Sequence, residues 1–292
     1  MHDSIGDRLL VFFCYLVIVL MCIIMIYPFW DQFVMSVSTR QAALVGGFRL
    51  WTWPLNLSGY SFVLTSQELG LAALNTLFRV SVGTVWAVVI TAITAYPLSR
   101  KELPFKGVLT GIFIFTMFFS GGMIPTYIWI KQLGLINNRL VLILPGIAAY
   151  YLIIMRNFFM GMPPELEEAA EIDGADDMTI FWKIVLPLSM PILATIALWT
   201  AVNHWNAYFD ALIYMTDRSK YVLQILLRRV LIDTDLISMG MQPGQDMNIN
   251  IRPTEDTVKA ALLIVTTVPI LAVYPFAQKY FIKGILQGSI KG

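Results

Sequence analysis

The sequence predicts an all-α integral membrane protein, with six transmembrane helices and one polar helix–turn–helix. Three observations carry that prediction. Apolar residues make up 58% of the chain and charged residues 13%, with a mean hydropathy of +0.71. Soluble domains average roughly 45–50% apolar and about 25% charged. The apolar residues gather into six runs, each near the roughly 20 residues that a helix needs to cross a hydrocarbon core. Between the fourth and fifth runs stands an acidic stretch, residues 160–187, too polar for lipid and punctuated by proline and glycine.

The elements follow in order. The first run, Leu9–Ser36, is longer than the 7–15 apolar residues of a signal peptide and is followed by no small-x-small cleavage site, so it reads as a retained helix. Cys14 and Cys22 share that helix. They cannot bridge within it and lack metal-ligand spacing, which leaves them as membrane-embedded filler. The remaining spans fall near Leu71–Leu98, Val108–Ile130, Leu140–Phe159, Leu188–Tyr208 and Val258–Tyr280. Two long segments, 37–70 and 209–257, lie between runs. The second holds an amphipathic stretch, Tyr221 to Leu231, that reads as a helix on the membrane surface. Met239 to Pro253, rich in Gly, Pro, Asn and Gln, then reads as an irregular loop. A segment of this length is either a packed flap or a docking surface for an extracellular partner. One membrane domain thus spans residues 1–292.

Charge narrows the function. A net charge of +1, with no basic patch interleaved with aromatics, points away from nucleic acid. Arg100, Lys101 and Lys106 cluster after the second run, and Lys279, Lys283 and Lys291 after the sixth. Both clusters are cytoplasmic if the N-terminus is inside. Arg218, Lys220, Arg228, Arg229 and Arg252 would then lie outside, so a raw count barely decides orientation.

The acidic stretch is the most informative part. Pro164 suits a first helical turn, where its missing N–H is not needed. Glu165, Glu167 and Glu168 follow, favoured by the positive end of the helix dipole. Leu166, Ala169 and Ala170 make a small apolar face that another surface can approach. Gly174 can take the left-handed conformation that ends a helix. Asp176 or Asp177 can cap a second short helix through Ile180, Phe181 and Ile184, and Pro187 closes the unit. Such a unit is a stiff lever rather than a floppy loop; the plainer reading is a hairpin that merely joins two spans.

The spacing Glu168-Ala169-Ala170, three residues, Gly174, nine residues, Ile184-Val185-Leu186-Pro187 resembles the EAA loop of permease subunits of binding-protein-dependent ABC importers. Asn75-Thr76-Leu77, Leu133-Gly134-Leu135-Ile136-Asn137-Asn138 and the tail from Tyr274 to Gly292 are similar to maltose-type sugar permeases. Arg156-Asn157-Phe158-Phe159 is closer to permeases for large oligosaccharides. The likeness runs from Asn75 onward, and the first 70 residues carry little of it.

That resemblance implies a non-catalytic permease subunit of a sugar importer in a bacterial cytoplasmic (inner) membrane, working by alternating access. With the short-loop charge clusters, it favours both termini inside. The implied partners are a homologous second permease in a heterodimer, two ATPase subunits, an extracellular or periplasmic sugar-binding protein, and the bilayer. The chain would bind no cofactor. It lacks G-x-x-x-x-G-K-[ST], so ATP and Mg would sit on the ATPases. Glu168, Ala169, Ala170, Asp173, Gly174, Leu186 and Pro187 are the implied coupling residues, with Glu168 facing a basic ATPase residue and Ala170 to Gly174 seated in its cleft.

A substrate route is harder to read. Trp199, Asn203, Asn206 and Asp210, joined by Tyr208, would share one face if the fifth span were continuous. Aromatic faces beside amide and carboxylate groups suit sugar rings, but interfacial aromatics and helix-gluing Asn account for the same residues. His204 reads as a helix packer. Arg79 would snorkel to the outer interface or pair with the second permease. Two other functions compete. Asp233-Thr234-Asp235 has the D-x-D form of a metal-dependent glycosyltransferase, without a supporting His-Glu-x-x-His or nucleophile elbow. A channel would need pore-lining charge rings, and none is visible.

Overall fold

The structure is a computed structural model, and it describes residues 5–144, 146–233 and 253–289. Among these the chain is helical, without a β-strand. In order, the helices are α1 (Ile5–Ser36), α2 (Arg40–Leu44), α3 (Ser58–Thr65), α4 (Gln67–Ser99), α5 (Lys106–Phe118), α6 (Met123–Gln132) and α7 (Ala149–Met160). They continue with α8 (Glu165–Ile172), α9 (Asp177–Ile180), α10 (Leu186–Leu188), α11 (Met190–Asn206), α12 (Phe209–Tyr214), α13 (Leu223–Arg228) and α14 (Glu255–Ser289).

Three stretches are long and apolar enough to cross a membrane unbroken: Gly6–Ser36, Gln67–Ser99 and Glu255–Val273. Two more qualify as bent pairs, α5 with α6 at 114° and Asp177–Leu188 with α11 at 77°. The described residues therefore give three spans, or five with the bent pairs, against the six expected. The third run breaks at Ser120-Gly121-Gly122, where Gly122 has φ +84° and Pro125 follows in the next turn. Glycine pays the usual steric penalty of that conformation least, and proline donates no N–H to the preceding turn. The fourth run divides into a 3₁₀ turn, Arg139–Leu142, and the 12-residue α7. At ~1.5 Å per residue α7 reaches only about 18 Å. The fifth bends at Ser189, between Pro187 and Pro191.

The chain falls into two compact units, residues 1–70 with 227–268, and residues 71–226 with 269–292. In the first, no part of the apolar window of α1 is buried, and Cys14 and Cys22 are exposed on it. The core of this unit joins Met35 at the end of α1 and Ala43 of α2 to Ala260 near the start of α14, and α3 crosses the same part of α14. A Cβ on Gly59 would meet the Thr257 carbonyl oxygen at 3.1 Å and Ala261 at 3.5 Å, so glycine permits that close crossing. In the second unit, Ala92, Ala95 and Tyr96 of α4 pack with Leu152, Met155 and Phe159 of α7 and with Ile180, Phe181 and Val185. A second cluster joins Ile130, Val141 and Leu142 to Ala211, Tyr214 and Val222.

The amphipathic stretch expected at the membrane surface forms α13 and a π-helical turn, Arg229–Asp233. Val222, Leu223, Ile225 and Leu226 are buried. Of the stretch Met239 to Pro253 only Pro253 is described, and Thr234, Asp235 and residues 290–292 also lie outside the described residues.

Candidate functional site

The acidic stretch folds as a tight hairpin. After Pro163 and Pro164, α8 runs to Ile172 with Glu165, Glu167 and Glu168 in its first turn. It ends in a Schellman motif: the Ala175 N–H donates to Ala170 O (2.9 Å) and the Gly174 N–H to Glu171 O (3.0 Å). Gly174 has φ +82°, as such a motif requires. Asp176 then caps α9, its carboxylate accepting from the Thr179 N–H at 3.1 Å. Hydrogen bonds from Thr179 hold the Asp176 carboxyl below its ordinary range. The second arm is longer than a short helix, passing through a π-helical turn, Phe181–Val185, into α10. Leu186 packs against the core at the base of that arm, and Pro187 follows at its end.

The two faces of α8 differ. Glu167 and Ala170 turn inward and are half-buried, Ala170 against the α4–α7 core. Glu165, Glu168, Ala169 and Ile172 are exposed, Ile172 at 86%. Steps of three and four put these four on one side of the helix. The apolar face expected from Leu166, Ala169 and Ala170 is therefore split, since Ala170 belongs to the inner side. Ile172, which sequence reasoning passed over, supplies the apolar group on the outer side. Asp173 and Gly174 form the exposed tip.

Inward, the hairpin meets Arg100, just past the end of α4. Its guanidinium pairs with Glu167, with Glu171 at 3.0 Å and with Asp177 at 2.9 Å, and lies 5.3 Å from the Tyr96 ring centroid. Arg156 Nε donates to Leu98 O, and Lys106 Nζ to Ser99 O and Arg100 O, each at 2.9 Å. These cations occupy the last carbonyls of α4, where the helix dipole favours positive charge. A cleft of about 790 Å³ opens here, lined by Tyr96, Pro97, Arg100, Asp177, Phe181 and Trp182 among others.

Toward its other end α4 carries a second constellation. Asn75 Nδ2 donates to Ser219 O (2.8 Å) and Tyr221 O (2.9 Å), and Thr76 Oγ1 accepts from the Leu223 N–H (2.9 Å). The buried Arg79 donates to both carboxylate oxygens of Asp210, to Ala207 O at 3.2 Å and to His204 Nδ1 at 3.3 Å. Arg79 is thus an internal clamp rather than a snorkelling side chain. His204 is the expected packer, seated on Gly83, where a Cβ would approach its Nε2 to 2.7 Å.

The tentative substrate face is only partly assembled. Helix α11 ends at Asn206 and Asp210 lies on α12, so the face is not continuous. Asp210 is committed to Arg79. Trp199 and Asn203 do come together: Tyr151 stacks on Trp199 at 5.8 Å and its hydroxyl accepts from Asn203 Nδ2 at 2.8 Å. Asn206 and Tyr208 are exposed beyond them. Among the described residues, no group of three or more His, Cys, Asp or Glu is placed to hold a metal ion.

Comparison with known proteins resolves the class. The profile of the "binding-protein-dependent transport system inner membrane component" family matches residues 2–287. The chain belongs to this family. As a permease component it is a membrane subunit of an ABC transporter, with no catalytic role of its own. It is 40% identical over 288 residues to the polygalacturonan/rhamnogalacturonan transport system permease protein YtcP of Bacillus subtilis (strain 168), covering 98% of this chain and 99% of that one. The permease component also superposes, with a TM-score of 0.87 and 32% identity, on a chain of a bacterial ABC transporter involved in the import of the acidic polysaccharide alginate. That match covers 96% of this chain and 99% of that one. A second alginate transporter chain, from a complex with an alginate pentasaccharide-bound periplasmic protein, shares the fold at 14% identity and a TM-score of 0.60, over 93% of each chain.

Proposed function

We propose that this chain is one of two homologous permease subunits of an ABC importer for acidic oligosaccharides. The observation that carries the importer reading is the coupling hairpin: one side fastened to α4, the other offering Glu165, Glu168, Ala169 and Ile172 to solvent. An acidic rim beside the apolar Ala169 and Ile172 fits a cleft with basic edges on an ATPase. Two such ATPases would bind ATP and Mg, close, and push the hairpins, switching a central cavity between inward- and outward-facing states. The acidic oligosaccharide reading rests on relatives that are alike over nearly their full length and named for polygalacturonan and alginate.

On this reading residues 1–292 form one transmembrane domain with both termini cytoplasmic. The segment 209–257, anchored to α4 through Asn75 and Thr76, faces the sugar-binding protein; the alginate transporter is itself found in complex with a periplasmic protein. Trp199, Asn203 and Tyr151 offer an aromatic surface with an amide beside it, which suits a sugar ring along the route.

The test is to purify the tagged chain in mild detergent, identify what accompanies it, and reconstitute the assembly in vesicles with its binding protein. The expected result is a second permease, an ATPase at two copies, and ATP-dependent uptake of oligogalacturonate but not of maltopentaose. Recovery of the chain alone after crosslinking would overturn the importer assembly. Uptake of maltopentaose instead would overturn the acidic substrate.

A further inference from the structure

A lever transmits force only through its joint, and α8 is poorly joined by packing. None of its residues is fully buried, and Ala170 is its one apolar contact with the α4–α7 core cluster. What fastens it is charge. Glu167 and Glu171 lie one turn apart on α8, and Asp177 opens α9 on the far side of the Gly174 turn. All three carboxylates converge on Arg100. A guanidinium has five N–H donors in a rigid fork, so it can serve several carboxylates at fixed angles; an ammonium is a point charge on a flexible stem. Behind it stands the Tyr96 ring, itself packed against Phe181 at 5.1 Å and Phe159 at 6.4 Å. The backbone of Arg100 is held in turn, its N–H donating to Pro97 O and its carbonyl accepting from Lys106.

We infer that Arg100 is a positioning residue for coupling: it ties both arms of the hairpin to the end of α4, so that a push on the hairpin moves α4 with it. This rests on the importer reading above. It differs from docking, because Glu167 turns inward to Arg100, while Glu168 and Ile172, about 100° or more further round α8, face solvent. Without Arg100, three carboxylates face one another unneutralised and the hairpin pivots on its ends.

The test uses the reconstituted assembly with its binding protein, measuring ATP hydrolysis and oligogalacturonate uptake together. The wild type fixes the ratio of uptake to hydrolysis; a wild type that does neither would overturn the importer reading, and the inference with it. With wild-type coupling in hand, Arg100→Gln is expected to keep hydrolysing ATP while the ratio falls about tenfold, and Arg100→Lys to fall between. A loss of folding through repulsion is removed in the fourfold variant Arg100→Gln, Glu167→Gln, Glu171→Gln, Asp177→Asn. That variant should recover thermal stability without recovering the ratio. A wild-type ratio in Arg100→Gln, or in the fourfold variant, would overturn the inference, since Arg100 would then only neutralise charge.

Discussion

Helix α4 carries Arg79 within it and meets Arg100 just past its end, and the two arginines are built differently. Arg79 is buried and makes a forked pair with the single carboxylate of Asp210, next to His204. Arg100 is one-fifth exposed and shared among three carboxylates. They lie roughly 21 residues apart, about 31 Å at 1.5 Å per residue, or one hydrocarbon thickness. A largely buried one-to-one pair has a single good geometry, and breaking it strands a charge. A wet cluster with surplus carboxylate can trade partners as neighbouring helices shift. The first is suited to holding a fold, the second to a joint that bears load and gives.

That contrast orders four predictions. The largest effect belongs to the Arg79 end. Arg79→Leu leaves Asp210 facing His204 without a cation and should cost about 3 kcal/mol, the low end for a buried pair because Asp210 is 33% exposed. The expected readout is a collapse of the monodisperse detergent peak; an unchanged melting temperature would erase the distinction between the two arginines. Gly83→Ala acts at the same joint by steric means. Its Cβ would crowd His204, costing about 1–3 kcal/mol. Its melting temperature should drop while the ratio of uptake to hydrolysis in the surviving protein stays at the wild-type value.

At the Arg100 end, effects should appear in coupling and assembly rather than in folding. Ile172→Ser removes the exposed apolar group of α8 without touching the clamp. Losing about 1–2 kcal/mol at a docking anchor weakens ATPase retention roughly 5–30-fold, measured by co-purification at matched protein levels, with thermal stability unchanged. Retention equal to wild type would move the docking face elsewhere on the hairpin. The smallest effect is at Asp176. A carboxyl held below its ordinary value of 3.8 stabilises the fold above that pH and loses the contribution only as pH falls through its lowered value. Asp176→Ala should therefore speed amide exchange of Met178 and Thr179 by the same factor at pH 6 and pH 8. A difference that shrinks between those two values would mean the cap titrates in that range.

Much of this was open to reading in the sequence where a local rule suffices. The hairpin was legible because each part is short-range: Pro164 before the helix, Gly174 at the turn, Asp176 or Asp177 at the cap, of which the structure uses Asp176. The same local chemistry marks the bend at Gly121-Gly122, yet counting apolar residues hid it, since hydropathy averages over a turn that a backbone cannot straighten. Asp210 was misplaced for a related reason. Helical steps of three and four carry it onto the Trp199 face only if α11 continues, and α11 stops at Asn206.

The sequence by itself determined that the chain belongs in a bilayer, that an acidic hairpin stands between two apolar runs, and where that hairpin turns. Composition and backbone sterics act within a few residues, so one chain read in order is enough. Only the tertiary structure decided which side of α8 is free, that Arg79 closes on Asp210 more than a hundred positions away, and that Arg100 gathers carboxylates from both arms of the hairpin. Charge pairing depends on distance through space, and a sequence records only distance along the chain.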